Sequence, residues 1–561
     1  MVNLVLPVVT AAAEVTKKKF VRKTSQIASV QEQFLRSLLQ DYSKTEFGQR
    51  FRFDELKTID QFRKRIPILS YESYSSYIER IAQGEKNILT CDDVVYFNVS
   101  SGSTGKPKLI PVTKRSRQIL NLANRVGIGF LAQEARKNGL SLGKMLLTTP
   151  VKVSGYTSGN IAYGTTSSGD LRLNKLLYRQ IFAQPYEALQ ATDSLTRNYL
   201  CLLFALKNPQ MKIIGANFPV LALQLAKYLE DHAESLIEDL ATGAIAKWLK
   251  LEPQLRKSLQ QQFSPAPKVA THLKEVLRSE GRLTPKLAWK NLSFITTARG
   301  GTSDFYFERF ANYFGDTPIF GGIYACSEAT FGICKNYNED SAILAIESGF
   351  FEFIPAEDWE QEQPNTLLPE DVEVGKYYRI LVSGYSGLYR YDVGDIVQVV
   401  GFYEKTPLIT FRYRRGGFLS SISEKTNEFQ VIHSMRSLQE EFNLSLENFC
   451  VTLSEEVPSR YLVNIELLPN ECLENPREFL AEFDNKLQQA NSSYGDKRRN
   501  KAIPAPYLRI LTPGSFALVR QKLLKKGIPD THLKFPHIND NRQFLNGLTI
   551  KQEFKLPNYE N

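Results

Sequence analysis

With 561 residues, 42% of them hydrophobic and 23% charged, the chain has globular composition and enough material for two or more domains. Its net charge of +10 comes from scattered lysines and arginines, with one short run, "KKKFVRK", and no nucleic-acid-binding module, which argues against nucleic-acid partners and suits anionic small molecules. Six widely spaced cysteines (Cys91, Cys201, Cys326, Cys334, Cys450, Cys472) without a CxxC pair, and five scattered histidines, form no zinc pattern and fit reduced thiols.

The N-terminal "MVNLVLPVVTAAAEVTKKK" has a short apolar stretch without a preceding basic region, so a secretory signal is not expected. No window offers the ~20 apolar residues that span a bilayer. A cytoplasmic protein without membrane attachment is the expectation. Residues 30 to 90 read as helical, with a stop at Gly48, a break at Pro67 and a cap near Ser70. "DVVYFNV" (93–99) is a strand feeding the loop "SSGSTGKPK", and "KLIPV" beyond it is a second strand. A long helix follows, with Thr113 as its N-cap. From 186 to 290 the pattern is mostly helical apart from "KIIGANF"; "LSFITTARGG" and "TPIFGGIYACSEATFGI" return to strand and loop. Short alternating strands over 343–413 predict a small barrel or an antiparallel sheet. "RRGGFLSSISEKTN" (414–427) reads as a connector, and an α+β domain of helix, two strands and helix lies beyond it.

The loop after the first strand resembles a nucleotide loop but fails the P-loop pattern. Lys106 is followed by Pro107, which disfavours helix at Lys106 and lacks a backbone N–H. Gly102 and Gly105 free the backbone to form an anion nest, Ser100, Ser101, Ser103 and Thr104 add hydroxyls, and Lys106 and Lys108 add charge. An ordinary polar turn is the alternative.

Three segments carry a resemblance that the single loop does not. "SSGSTGKPK" is similar to the phosphate loop of the adenylate-forming enzyme superfamily, "YACSE" (324–328) to its adenine and magnesium segment, and "YDVGD" (391–395) to its ribose-binding segment, in the same order. "GLYRYDVGDIVQVVGFYEKTPLITFRYRRGGFLSSISEKTNE", with "PILSYESYSSYIERIAQGE" upstream and "GSFALVRQKLLKKGIPDTHLKFP" downstream, resembles the Gretchen Hagen-type, auxin-responsive-promoter family of acyl-acid amido synthetases. The resemblance runs from about residue 30 to 540.

It implies an α/β fold with a large N-terminal adenylate-forming domain (1–419, with a small β-barrel-like subdomain) and a smaller, mobile α+β domain (420–561). It also implies a monomer using ATP and Mg2+ to adenylate a carboxylic acid, auxin-like, jasmonate-like or benzoate-like, and to conjugate it to an amino acid. The chemistry agrees: a carboxylate is a poor electrophile, and only after attack on the α-phosphate can an amine displace AMP. Such a site must neutralise phosphates and exclude water.

The same resemblance distributes roles. Ser100, Ser101, Gly102, Ser103, Thr104 and Gly105 hold the phosphates with Lys108 nearby; Tyr324 and Ser327 lie at the adenine; Glu328 binds magnesium; Asp395 accepts from the ribose hydroxyls. Lys425, and Lys534 in "HLKFP", are the catalytic lysines, while Arg125 and Tyr163 face the acid, in a pocket lined by residues 153–169. Solvated or packing roles are the alternative for each residue taken singly. Asp392 stands where the family usually has arginine, and Cys326 where it favours serine. Rival readings are transfer to CoA or a carrier after the same adenylation, and a non-catalytic acyl- or nucleotide-binding protein.

Overall fold

The computed structural model describes residues 5–101, 107–166, 175–359, 361–415, 417–525 and 535–556. The chain divides into two units, Met1–Phe411 and Arg412–Asn561. The sequence-expected boundary at 419 lies beyond that division.

The first unit begins with helices α1 (Val5–Thr24) and α2 (Ile27–Tyr42). α1 is not legible in the sequence, which shows only the apolar start. It is held against a later helix, where a Cβ at Gly129 would stand 2.7 Å from the Ala13 carbonyl oxygen. Gly48 does not stop a helix. α2 ends at Tyr42, and Gly48 sits inside the short α3 (Glu46–Arg50), capped by Thr45, whose hydroxyl accepts from the Gly48 N–H at 2.9 Å. Glycine is needed there because a Cβ would meet the Tyr42 carbonyl oxygen at 2.2 Å. α4 (Ile59–Arg65) and α5 (Tyr71–Ala82) flank the break at Pro67, as their pattern predicts.

Strands β1 (Val94–Ser101) and β2 (Pro107–Thr113) pair antiparallel, Ser101 opposite Pro107 and Ser100 opposite Lys108. The loop therefore joins two strands of one hairpin, as Pro107 predicts. α6 (Lys114–Lys137) follows at once, with Thr113 and Ser116 forming a capping box. The β1–β2 pair extends through β4 (Gly155–Tyr156) and β5 (Ala162–Gly164) in the order β2-β1-β5-β4. A second, parallel sheet joins β3 (Lys144–Leu147), β6 (Met211–Gly215), β7 (Phe294–Thr296) and β8 (Ile319–Phe320). The intervening helices bury their apolar faces, as in Leu200–Leu203 of Ser194–Lys207.

Of the two arrangements expected for 343–413, an antiparallel sheet forms. It has seven strands in the order β12-β13-β14-β15-β11-β10-β9. These are β9 (Ile323–Ala325), β10 (Thr330–Cys334), β11 (Ala342–Leu344), β12 (Phe350–Pro355), β13 (Tyr377–Gly384), β14 (Leu388–Tyr403) and β15 (Thr406–Arg414). Arg390 ties β14 to its surroundings. Its buried guanidinium donates to both Glu352 carboxylate oxygens at 3.0 Å and to the Arg63 and Ile66 carbonyls at 2.8 and 2.7 Å. A buried ion pair satisfied in this way holds its desolvated charges without an orphan.

The second unit carries a mixed sheet, β18 (Leu446–Leu453), β19 (Tyr461–Leu467), β20 (Tyr507–Leu511) and β21 (Ile550–Lys555), in that order. Helices Glu428–Glu441 and Pro476–Ala490 match the expected helix, two strands and helix; β20 and β21 are additional. A small hairpin of β16 (Phe418–Leu419) and β17 (Thr426–Asn427) precedes them. No described helix is long and apolar enough to cross a membrane.

Candidate active site

Four of the sequence-predicted residues lie on β9, on β14 and in the turn between β9 and β10. Asp395, 1% exposed, accepts a hydrogen bond from the Tyr324 hydroxyl at 2.8 Å. The Tyr324 ring stacks on Phe331, with centroids 5.1 Å apart. Glu328 is half-buried and accepts from the Tyr391 hydroxyl at 3.3 Å. Ser327 presents its carbonyl to Asn98 Nδ2 at 3.0 Å, which ties the "YACSE" turn to β1.

The backbone of β14 explains how Asp395 reaches inward. Arg379 of β13 pairs with Ile396 and Leu381 with Asp392, so Val393, Gly394 and Asp395 stand opposite Ile380 alone. This bulge needs a left-handed residue, and Gly394 supplies it at φ 78°. Asp392 closes the bulge, its Oδ1 accepting the Gly394 N–H at 2.9 Å.

Asp392, where the resemblance leads to an expectation of arginine, therefore has a local role. Its Oδ2 lies 3.3 Å from Nε of the buried Arg379, a close ion pair in which Nε is not aligned to donate a hydrogen bond. Burial pushes the Asp392 carboxyl up to about 6, Asp395 adding to the rise and the Gly394 N–H opposing it. A raised carboxyl favours the folded state while protonated, so its stabilisation is lost as pH climbs from about 4 to about 6. Across that window the wild type should lose roughly 1–3 kcal/mol relative to Asp392→Asn, which keeps the acceptor for Gly394 and cannot ionise. Parallel denaturant titrations at the two ends of the window measure it; an identical pH dependence for both proteins would show that the nearby Arg379 guanidinium offsets burial and that Asp392 titrates alike in the folded and unfolded chain.

The other predicted residues are placed as follows. Ser100 and Ser101 end β1, whereas Gly102, Ser103, Thr104, Gly105 and Lys534 lie outside the described residues. The Lys108 ammonium sits 3.8 Å from Glu72 and 4.9 Å from the centre of the Tyr71 ring, anchored beside the start of β2. Lys425 is exposed in the second unit, with its ammonium 5.9 Å from the Phe418 ring centre.

Beside Glu328 opens a cavity of about 790 Å3, its mouth included. Val112, Ile119, Leu120, Val382 and Leu388 supply apolar wall, and Arg117 is among the polar residues that line it. Tyr385 forms another side and is held in place by Arg115, whose guanidinium lies 4.1 Å from the ring centre. Arg125 is exposed on α6 and is not among the lining residues; Arg117, earlier on the same helix, is. Tyr163 folds its ring over Gly155, where an added Cβ would meet the hydroxyl at 2.6 Å, and of residues 153–166 only Thr166 lines the cavity. Cys326 lines it too, as a small side chain beside Ser327.

Among the described residues no cluster of three or more histidine, cysteine or acidic side chains could hold a metal unaided. Glu328, a hard oxygen donor at the cavity edge, fits a magnesium ion that draws its remaining ligands from substrate phosphates and water.

Residues 16–319 match the GH3 family N-terminal domain, 342–414 the GH3 family central domain and 429–543 the GH3 family C-terminal domain. The chain is 26% identical to the indole-3-acetic acid-amido synthetase GH3.15 of Arabidopsis thaliana, over 96% of this chain and 95% of that one. It is 27% identical to the 4-substituted benzoates-glutamate ligase GH3.12 of the same plant, over 81% of both chains. The solved GH3.15 acyl acid amido synthetase superposes with a TM-score of 0.85 at 25% identity, covering 97% of this chain and 98% of that one. With one family's three domains in succession along most of its length, the chain belongs to the GH3 family.

Proposed function

We propose that this GH3 enzyme is an ATP- and magnesium-dependent acyl acid amido synthetase that activates a partly apolar, planar carboxylic acid and passes it to an amino acid. The observation that carries the proposal is the joining of two half-sites. Tyr324 of β9 and Asp395 of β14, which we assign to the nucleotide, are hydrogen-bonded to each other; Glu328, in the turn after β9, accepts from Tyr391 of β14 and borders a partly apolar cavity with Arg117 among its lining residues. The amido-synthetase relatives, named for indole-3-acetic acid and 4-substituted benzoates, support an acid of this kind.

In this reading the Asp395 carboxylate accepts from the ribose hydroxyls, and the Tyr324 ring lies against the adenine. The loop after Ser101, with Lys108 beside it, binds the phosphates. Arg117 orients the acid's carboxylate, and the apolar wall keeps water from the mixed anhydride. Glu328 holds the magnesium, which supplies charge neutralisation at the phosphates. Lys425 is the cation of the second unit assigned to the phosphate, with Lys534 as the other candidate. The acceptor must be a neutral amine, since an ammonium has no free electron pair, so conjugation rises with pH toward the amine pKa.

Acid-dependent ATP–pyrophosphate exchange, screened over planar aromatic and aliphatic acids, should show activity with at least one. With that acid, mixed amino acids should accelerate AMP release and CoA should not, and mass spectrometry should find the acid plus an amino acid minus water. An acyl-CoA product without amide, at saturating amino acids, would reassign the second half-reaction and leave adenylation in place.

A further inference from the structure

A buried carboxylate stands directly beside Lys425. Glu424 is 3% exposed, yet it belongs to the short loop between β16 and β17. That loop folds around it. The backbone N–H groups of Ser421, Ile422 and Ser423 donate to its carboxylate at 2.5, 3.1 and 3.1 Å, and the Tyr461 hydroxyl lies 2.8 Å away. Burial pushes the Glu424 carboxyl up, but the backbone N–H groups and the Tyr461 hydroxyl outweigh it and hold it below the usual carboxylate range.

The next two residues are fixed from the same side. Thr426 is fully buried, its hydroxyl 2.9 Å from the Tyr461 hydroxyl and 3.0 Å from Asn491 Nδ2. Asn491 Nδ2 also donates to the Glu424 carbonyl at 3.1 Å. Between these two anchors Lys425 takes a left-handed backbone, φ 49°, which a lysine adopts only when its surroundings impose it. Buried, exposed, buried is the alternation over Glu424, Lys425 and Thr426, and it leaves the lysine as the residue presented to solvent.

We infer that Glu424 is a positioning residue for Lys425: its buried carboxylate is the template on which the 420–425 loop closes, and closure sets the direction in which the ammonium is offered. The inference rests on the proposed role of Lys425 in phosphate chemistry. Physically, a flexible four-carbon lysine gains catalytic value from the fixed origin of its stem, and a displacement near 1 Å costs about 10²-fold in rate. A glutamine at 424 would turn an amide N–H2 toward backbone N–H donors and open the loop.

The test uses the full-length chain in pyrophosphate exchange, with Lys425→Ala, Glu424→Gln and the double variant. Lys425→Ala should lower kcat on the order of 10²-fold or more. Glu424→Gln should lower kcat by about 10²-fold with KM for ATP and acid near wild type, and the double variant should be no slower than Lys425→Ala. Tyr461→Phe removes one contact of the carboxylate while leaving the ring packed on Tyr494 at 5.0 Å. It should lower kcat about 10-fold and, like Glu424→Gln, add nothing to Lys425→Ala; this arm does not depend on Glu424→Gln folding. Wild-type kcat in Glu424→Gln and Tyr461→Phe beside an impaired Lys425→Ala would overturn the positioning role alone, as would losses that multiply in the double variant. Wild-type kcat in Lys425→Ala would instead remove Lys425 from its assigned role, and the positioning inference with it.

Discussion

Glu328→Ala is expected to slow acid-dependent pyrophosphate exchange by a factor on the order of 10² or more and to raise the magnesium concentration needed for half-maximal rate. Glu328 lies at the cavity edge, half-buried, and no cluster of ligating groups among the described residues could replace it. Removing the carboxylate should therefore cost metal anchoring as well as rate. Tyr391→Phe is the control. The Tyr391 hydroxyl donates to Glu328 at 3.3 Å, so its loss loosens the carboxylate without deleting it. That variant should be slowed less than Glu328→Ala, because one hydrogen bond to the carboxylate is lost while the carboxylate itself remains. Exchange assays across a magnesium titration separate the two. Unchanged rate and metal dependence in Glu328→Ala would take Glu328 out of the metal role.

What the sequence makes legible is local. Pro107 after Lys106 already separates the loop from a P-loop, and the hairpin of β1 and β2 follows from it. Thr113 caps α6 through its own neighbour Ser116, within one turn. The parts that stay hidden depend on how the chain folds back on itself. α1 carries β-branched residues in "VLPVVT", which favour strand as much as helix; its place is set by close packing on Gly129. Gly48 has the look of a helix stop until Tyr42 comes near enough that no Cβ fits. Arg125 and Arg117 are both arginines of one helix, but the positions differ by two turns and about 80° around the axis. Only the tertiary structure says which of these faces the cavity. Asn98 is different: an amide between Phe97 and Val99 is visible in the sequence as an anomaly, and the Ser327 carbonyl accounts for its burial.

The largest effect should come from Asp395. Asp395→Ala is expected to lower kcat/KM for ATP by about 10²–10³-fold, the loss of charge-assisted hydrogen bonds to two ribose hydroxyls at about 1.5–3 kcal/mol each, less the water that fills the gap. Stability should move much less than the burial of the residue suggests. Asp395 is 1% exposed, and its charge is one of the influences that raise the Asp392 carboxyl. Alanine leaves the Tyr324 hydroxyl without the acceptor now 2.8 Å away, a cost, while Asp392 is relieved of a like charge across the bulge, a gain. The two should largely cancel near neutral pH, where Asp392 is ionised. At pH 4 to 5 Asp392 is protonated, so the gain disappears and Asp395→Ala should be destabilised relative to wild type. Tyr324→Phe in the same series removes the donor without touching the charge. It should lose less activity than Asp395→Ala, and the double variant should lose less than the product of the two, because both act on one hydroxyl–carboxylate pair. Nucleotide kinetics with thermal unfolding at pH 4.5 and 7.5 provides the measurements. A uniform loss of stability at both pH values, with ATP kinetics intact, would make Asp395 a structural carboxylate and nothing more.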